Sequence, residues 1–346
     1  MKKIVQIGGV YIGGSYRVAI QSMSDLPTRD IDAVVKQAEA LKKDGCDIFR
    51  VAVPDTESAR ALAEIKKRIE MPLVADIHFD YKLAIQAAAF GADKIRINPG
   101  NMPVGGLKEL TRVLKAAHIP LRVGINGGSL EKKYSAMPDR AMALAMSAAD
   151  CVKRLEDDGF FDIVISLKSS SVLETVKAYR YIDKLCDYPL HIGVTEAGIG
   201  QAGVIKSAAG LGALLLDGIG NTVRVSLTGD PSEEIRTAKG ILRAVGLDRD
   251  FAEIISCPKC GRCAYDTESL AKKVAEFTRH VAKPLKIAVM GCVVNGPGEA
   301  ETCDIGIAFG SGKAVIFKCG KVFLTVRDKD AEEIFLKEID KIIAES

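Results

Sequence analysis

Lys94-Ile-Arg-Ile97, followed by Asn98-Pro-Gly-Asn101, and Leu121-Arg-Val-Gly-Ile125, followed by Asn126-Gly-Gly-Ser129, are short Ile/Val-rich runs that nevertheless carry cations. Brief apolar runs closed by turn residues read as buried parallel strands. Six further runs of this kind lie near Val18–Gln21, Ile48–Val53, Leu73–Ile77, Ile163–Ser166, Leu190–Val194 and Val223–Ser226. Amphipathic stretches separate them. Ile31 to Lys43 places Ile31, Val34, Val35, Ala38, Ala40 and Leu41 on one broad face, and Val172–Leu185 repeats apolar positions at three and four. Eight strand–helix alternations across residues 1–246 predict a (β/α)₈ TIM-type barrel, class α/β. An open doubly wound sheet has fewer strands and often a glycine fingerprint in its first βα turn, which is not found.

The pattern changes around Gly246–Asp250. Residues 247–346 carry a cysteine motif, a helical stretch Glu268–Val281, a strand Ile287–Met290, β-like runs at Ile305–Phe309, Ala314–Phe317 and Val322–Val326, and a last helix Asp330–Ala344. They read as a small α+β domain with an antiparallel sheet. A chain of 346 residues, 48% hydrophobic, is long enough for two such cores. With 48 basic and 45 acidic residues the net charge is +3, which argues against a dedicated nucleic-acid binder. The longest apolar stretch, Ala208–Leu216, is far short of the roughly 20 residues a membrane helix needs. The N-terminal MKKIVQIGGVYIGG has no apolar leader region, so a cytoplasmic protein is expected.

Six of the nine cysteines fall in residues 257–346, which points to a thiol-based site there. Cys257-Pro-Lys-Cys260-Gly-Arg-Cys263 is followed by Gly291-Cys292-Val-Val-Asn-Gly-Pro-Gly-Glu299. Three readings compete on spacing. Structural zinc could use Cys257, Cys260, Cys263 and Cys292. An iron–sulfur cluster could use the same thiols, with Cys263 or a non-cysteine group as fourth ligand. A redox dithiol at Cys257/Cys260 lacks the βαβ context such motifs usually have. Cys303 and Cys319 are expected to be small buried hydrophobes.

Barrel enzymes carry their chemistry at the C-terminal ends of the strands. There the sequence supplies Arg50, Asp76, His78, Arg96, Asn98, Arg122, Asn126, Lys168, Glu196, Arg224 and Ser226. Five cations in or after buried strands are costly without counter-charge, and Asp76 with Glu196 cannot balance them. A bound diphosphate can, since guanidinium forks and a lysine suit its oxygens, and the amides of Gly127, Gly128 and Ser129 can assist. Internal arginine–carboxylate pairing is the bland alternative. His78, two residues after Asp76, is a candidate catalytic group. Glu196, amid cations, is read as a proton donor.

Gln21-Ser-Met23, Arg50-Val-Ala-Val-Pro54, Ala75-Asp-Ile-His-Phe-Asp80, Arg96-Ile-Asn-Pro-Gly-Asn101, Val123-Gly-Ile-Asn126, Thr195-Glu-Ala-Gly198, Cys257-Pro-Lys-Cys260 and the Gly291–Glu299 motif closely resemble the 4-hydroxy-3-methylbut-2-enyl diphosphate synthase family of the non-mevalonate isoprenoid pathway. The resemblance spans nearly the whole chain, in the compact bacterial length. It implies a barrel followed by a small domain like those of sulfite and nitrite reductases. It implies a [4Fe–4S] cluster on Cys257, Cys260, Cys292 and Glu299, with Cys263 a bystander. It implies a homodimer with shared active sites, and ferredoxin or flavodoxin as electron donor. The reaction implied is two-electron reductive opening and dehydration of 2-C-methyl-D-erythritol 2,4-cyclodiphosphate. By the same resemblance Arg50, Arg96, Arg122, Lys168, Arg224 and Ser226 hold the diphosphate, Asn98 and Asn126 add hydrogen bonds, and Asp76, His78 and Glu196 line the reacting end. Two rivals are a zinc-stabilised barrel that senses or stores a phosphorylated metabolite and a pterin-type barrel synthase, the latter with no reason for a cluster domain.

Overall fold

The expected strands form in order and close into a ring. The computed structural model describes residues 1–346 except 103, 131, 259, 264, 293–297, 299, 300, 311 and 346. A hairpin of β1 (Val5–Ile7) and β2 (Val10–Ile12) precedes β3 (Ala19–Met23), β4 (Ile48–Ala52), β5 (Leu73–Asp76), β6 (Lys94–Ile97), β7 (Leu121–Asn126), β8 (Ile163–Lys168), β9 (His191–Ile192) and β10 (Thr222–Val223). The last eight are parallel, in the order β8-β7-β6-β5-β4-β3-β10-β9, and a bridge between Ile165 and Leu190 joins the two ends. The chain divides into two compact units, Met1–Leu247 and Asp248–Ser346.

The helices are α1 (Ile31–Asp44), α2 (Thr56–Arg68), α3 (Tyr81–Ala89), α4 (Val104–Ala117), α5 (Lys132–Ser135), α6 (Arg140–Asp157), α7 (Val172–Leu185), α8 (Gly200–Leu216) and α9 (Pro231–Ala244). Local chemistry sets their ends. Asp30 accepts the N–H of Ala33 to start α1, and Gly45, at φ +101°, terminates it in the left-handed region that glycine favours. Ser171 caps α7 by accepting the N–H of Glu174. The outward positions of the strands, among them Ile95, Ile97, Val123, Ile125, Ile165 and Leu167, pack with Leu62, Ile65, Leu110, Leu114 and Leu144 of the helices in one core.

The alternate positions face the lumen, and there the apolar filling usual in such barrels is confined to the floor. Val5, Ile7 and Ile12 of the hairpin cluster with Ala19, Ile48, Val74 and Val164, sealing the N-terminal end. Sequence reading missed this hairpin. Its signal was Gly8-Gly9, a two-residue turn between Ile7 and Val10, which pair.

In the second unit β11 (Ala252–Ser256), β12 (Leu285–Met290), β13 (Ile305–Gly310), β14 (Lys313–Lys318) and β15 (Lys321–Arg327) lie side by side in that order. With them come α10 (Thr267–Phe277) and α11 (Asp328–Glu345). The sheet is mixed, which corrects the antiparallel expectation: β11, β12 and β13 are parallel, and only β13–β14–β15 is an antiparallel meander. The unforeseen strand is β11, and α10 is the crossover that parallel pairing of β11 and β12 requires. Leu270, Val274, Phe335 and Ile339 of the helices pack with Ile287, Val289, Ile305, Ile307 and Ile316 of the sheet. Cys303 is buried as expected; Cys319 is not, and sits exposed at φ +46° in the β14–β15 turn. No helix among the described residues is long and apolar enough to cross a membrane.

The hairpin floor yields a test. Ile7 is fully buried, so Ile7→Ala should cost about 2–5 kcal/mol through lost burial and a cavity. A thermal midpoint equal to wild type would show that the floor contributes nothing.

Candidate active site

Period-two alternation puts Lys94, Arg96 and Asn98 on one side of β6 and its exit, while Ile95 and Ile97 join the outer core. The same logic brings Arg50, Asp76, Arg122, Gly124, Asn126, Ser166 and Lys168 inward from β4, β5, β7 and β8. Asp76 is the hub. It accepts hydrogen bonds from Arg50 Nη2 at 2.6 Å and Arg96 Nη1 at 3.0 Å, and lies 3.3 Å from His78 Nε2. Burial opposes its charge, but Arg50, His78 and Arg96 hold the carboxyl well below the ordinary carboxylate range. Arg96 Nη1 also lies 3.1 Å from His78 Nε2, and Arg96 Nη2 donates to Asn126 Oδ1 at 3.4 Å. Gly124 makes room: a Cβ there would lie 2.7 Å from Arg96 Nε.

Arg122 is entirely buried and donates from Nη1 to Gln21 Oε1 across the barrel at 3.2 Å. Its Nε and Nη2 have no hydrogen-bond acceptor among the described residues, and neither do Nε of Arg50, Arg96 and Arg224. Arg224 Nη2 lies 3.7 Å from Glu234 Oε1 of α9, a carboxylate that also accepts from Ser22 Oγ and the Leu227 N–H. Lys168, half-buried beside Arg96 and Arg50, is pushed down to about 6, chiefly by burial. Internal pairing therefore accounts for part of the charge, through Asp76 and Glu234, and leaves a surplus of buried donors.

The remaining sequence candidates sit around this centre. Asn98 is buried, and its side chain accepts the Gly100 N–H at 3.2 Å, capping the turn Pro99–Asn101. Ser226 is half-buried, and its carbonyl accepts the Ala197 N–H. Glu196 is exposed, at φ +52°. With Asn126, Lys168, Thr195 and Arg140 it lines a cavity of about 400 Å³. A larger cavity, about 590 Å³, opens between α1 and the end of α2, away from the strand ends that carry the charges. Sequence reading assigned no role in the site to Gln21, Lys94, Arg140 or Glu234.

In the second unit the parallel pairing of β11 with β12 sets Ser256 beside Val289, so the two cysteine motifs leave the sheet at the same edge. The Gly291 N–H donates to Cys257 Sγ at 3.0 Å. Cys263 Sγ packs so close to Gly291 that a Cβ there would approach it to 2.5 Å. Cys260 is exposed and Cys292 half-buried, and every cysteine is a free thiol. Among the described residues no group of three His, Cys, Asp or Glu is gathered tightly enough to hold a metal. Glu299 lies outside the described residues. The donors nevertheless suit an iron–sulfur group: soft thiols on two converging loops, one already accepting a backbone N–H as cluster-bound sulfurs do.

Fold and site together define a TIM-type barrel protein with a cationic lumen and an appended thiol-bearing domain. The chain belongs to the GcpE family: residues 2–239 match the GcpE TIM-barrel domain and residues 253–341 the GcpE protein C-terminal domain. It is 51% identical to 4-hydroxy-3-methylbut-2-en-1-yl diphosphate synthase (flavodoxin) of Caldanaerobacter subterraneus subsp. tengcongensis, over 99% of this chain and 97% of that protein. It is 49% identical to the protein of the same name from Clostridium perfringens, over 98% of each. Among solved structures, Yersinia pestis dihydropteroate synthase matches with a TM-score of 0.52 at 13% identity, covering 71% of this chain and 100% of that one. At that identity the likeness concerns the barrel fold alone.

Asp76→Asn leaves two buried guanidinium groups without their anion and should cost about 3–5 kcal/mol at neutral pH. Because the native carboxyl binds its proton more weakly than the unfolded one, this contribution is complete above about pH 4 and lost as pH falls further. Thermal midpoints of the two proteins should therefore converge at low pH; a gap independent of pH would refute the assignment.

Proposed function

We propose that the chain reductively opens and dehydrates 2-C-methyl-D-erythritol 2,4-cyclodiphosphate to 4-hydroxy-3-methylbut-2-en-1-yl diphosphate, the product named in its relatives' activity. The observation that carries the reading is the set of buried guanidinium N–H groups of Arg50, Arg96, Arg122 and Arg224 that lack acceptors. A diphosphate offers the acceptors they lack. Lys168, Asn98, Asn126 and Ser226 complete the grip at the strand exits. The barrel, residues 1–246, is the substrate unit and residues 247–346 the redox unit. Electrons come from flavodoxin, the donor in the relatives' names. The working form is a cytoplasmic homodimer whose sites are shared between chains.

A [4Fe–4S] cluster held by Cys257, Cys260, Cys292 and Glu299 would, when bound, relay the two electrons one at a time from the donor and supply Lewis acidity for C–O cleavage. The chain's own residues do the rest. Arg50 and Arg96 are fixed by Asp76 before substrate arrives, so little reorganisation is needed on binding. His78 Nε2, between Asp76 and Arg96, is oriented at the reacting end. The Glu196 carboxyl, which lines the mouth cavity together with Lys168, passes a proton to the leaving oxygen in this reading. A zinc-stabilised sensor finds no support in the relatives quoted, which are named as synthases.

The test is anaerobic turnover of the cyclodiphosphate with a chemical reductant and product identification. Arg122→Ala should lower kcat/KM at least about 100-fold, the scale of removing a buried charged partner, with iron content unchanged. Unaltered kinetics would contradict the assignment. Lys168 carries little charge at pH 8 and is substantially protonated at pH 6. Affinity for the cyclodiphosphate should accordingly rise over that interval, and Lys168→Met should flatten the rise. A pH dependence identical in the variant would remove Lys168 from the site.

A further inference from the structure

Lys94 opens β6 one inward position before Arg96 and is completely buried. Its Nζ has one hydrogen-bond partner among the described residues, Gln21 Oε1 at 3.4 Å. The same oxygen accepts from Arg122 Nη1 at 3.2 Å. One amide oxygen, reached across the lumen from β3, thus serves two basic groups on β6 and β7, while Gln21 Nε2 has no partner among the described residues. Among the described residues, the charged and titratable groups around Lys94 offer no counter-charge. Arg50 on β4 and Arg122 on β7 repel its charged form. His191 on β9, hydrogen-bonded through Nδ1 to Thr222 Oγ1 on β10, is itself kept from protonation by burial and by these cations. Asp76 on β5 is committed to Arg50 and Arg96, and Glu234 to Arg224, Ser22 and Leu227.

We infer that Lys94 is a positioning residue for diphosphate binding: through Gln21 it holds Arg122 in register, and it takes up a proton from solvent when the anion enters the barrel. The inference rests on the reading of the lumen as a diphosphate site. An arginine cannot shed its proton inside a protein, so in a crowded cationic layer the amine is the group that yields. Burial and the two arginines hold Lys94 well below the ordinary lysine range in the free protein. A diphosphate lodged on Arg50, Arg96 and Arg122 reverses the local field and restores the charge. Lys94 then acts as a charge reserve beneath the arginines.

The experiment compares wild type with Lys94→Met, which keeps the side-chain volume without the amine. Binding of the cyclodiphosphate to the anaerobically prepared full chain is followed calorimetrically in buffers of different ionisation enthalpy, from pH 7 to 9. Wild type should take up about one proton more per ligand than the variant, and the slopes of log Kd against pH should differ by about one. A second arm needs no ligand. The unfolded chain binds more protons at Lys94 than the native one does, so wild-type stability rises with pH at this site. Lys94→Met should melt above wild type at pH 7, and the advantage should shrink towards pH 10. Equal proton uptake by both proteins, or a variant that melts below wild type by a pH-independent margin, overturns the inference and leaves the diphosphate reading standing. Failure of wild type to bind the cyclodiphosphate at all sinks that reading instead. If Lys94→Met does not accumulate folded, Lys94→Gln, which also cannot titrate, carries the same comparison.

Discussion

More positive than negative charge is enclosed by a ring of strands, and the rest of the structure follows from that imbalance. Arg50, Arg96, Arg122, Arg224, Lys94 and Lys168 lie within or at the rim of the lumen, against the carboxylates of Asp76 and Glu234. Removing such groups from water costs several kcal/mol per ion even after relaxation. The chain meets this in two ways. Asp76 and Glu234 anchor three of the arginines, and the two lysines are driven towards neutrality. What remains is a fixed array of N–H donors in a low-dielectric cavity. Such an array is preorganised for a dense anion and poorly suited to a neutral ligand.

A parallel barrel is well matched to hold such an array. Its alternation gives β6 and β7 one wholly apolar face for the helical ring, so the charges on the other face cost nothing in outer packing. The floor is closed by an apolar hairpin that keeps water from the lower end. Gly124 then leaves the width that the Arg96 guanidinium needs opposite β7. Stability is thereby concentrated in the wall and floor, and strain in the lumen. Natural proteins tolerate local inconsistency of this kind at functional sites.

Much of this was legible in the chain itself. The Ile/Val runs located all eight barrel strands because the face packed against the helices, together with the floor positions, demands apolar residues there. Cations at fixed places in those runs marked the candidate site, since burying them without counter-charge is costly. Long-range partnerships were not legible. Arg122 and Gln21 meet across 101 positions of sequence, and Arg224 meets Glu234 only because α9 packs back against β3. Lys94 opens its strand, and only closure of the ring buries it completely. Glu234, on a helix beginning Pro-Ser-Glu-Glu, reads as a solvated first-turn acid. Cys319 has the composition of a core residue, but the turn into β15 carries it to the surface.

The correction in the second unit bears on function more than on classification. In an antiparallel pair the segments leaving two neighbouring strands exit at opposite edges. Parallel pairing of β11 and β12 instead puts Cys257 and the Gly291–Cys292 segment at the same edge, where the Gly291 N–H reaches Cys257 Sγ. In both units the candidate residues thus lie where parallel strands end. The shared placement has a common physical origin, for parallel strands deliver successive loops to one side, and loops are free to carry residues that no strand core would accept. The glycine at 291 fits that logic. It is the one residue type whose absent side chain lets Cys263 and Cys257 crowd the same turn, and this is why the motif has no room there for any bulkier residue.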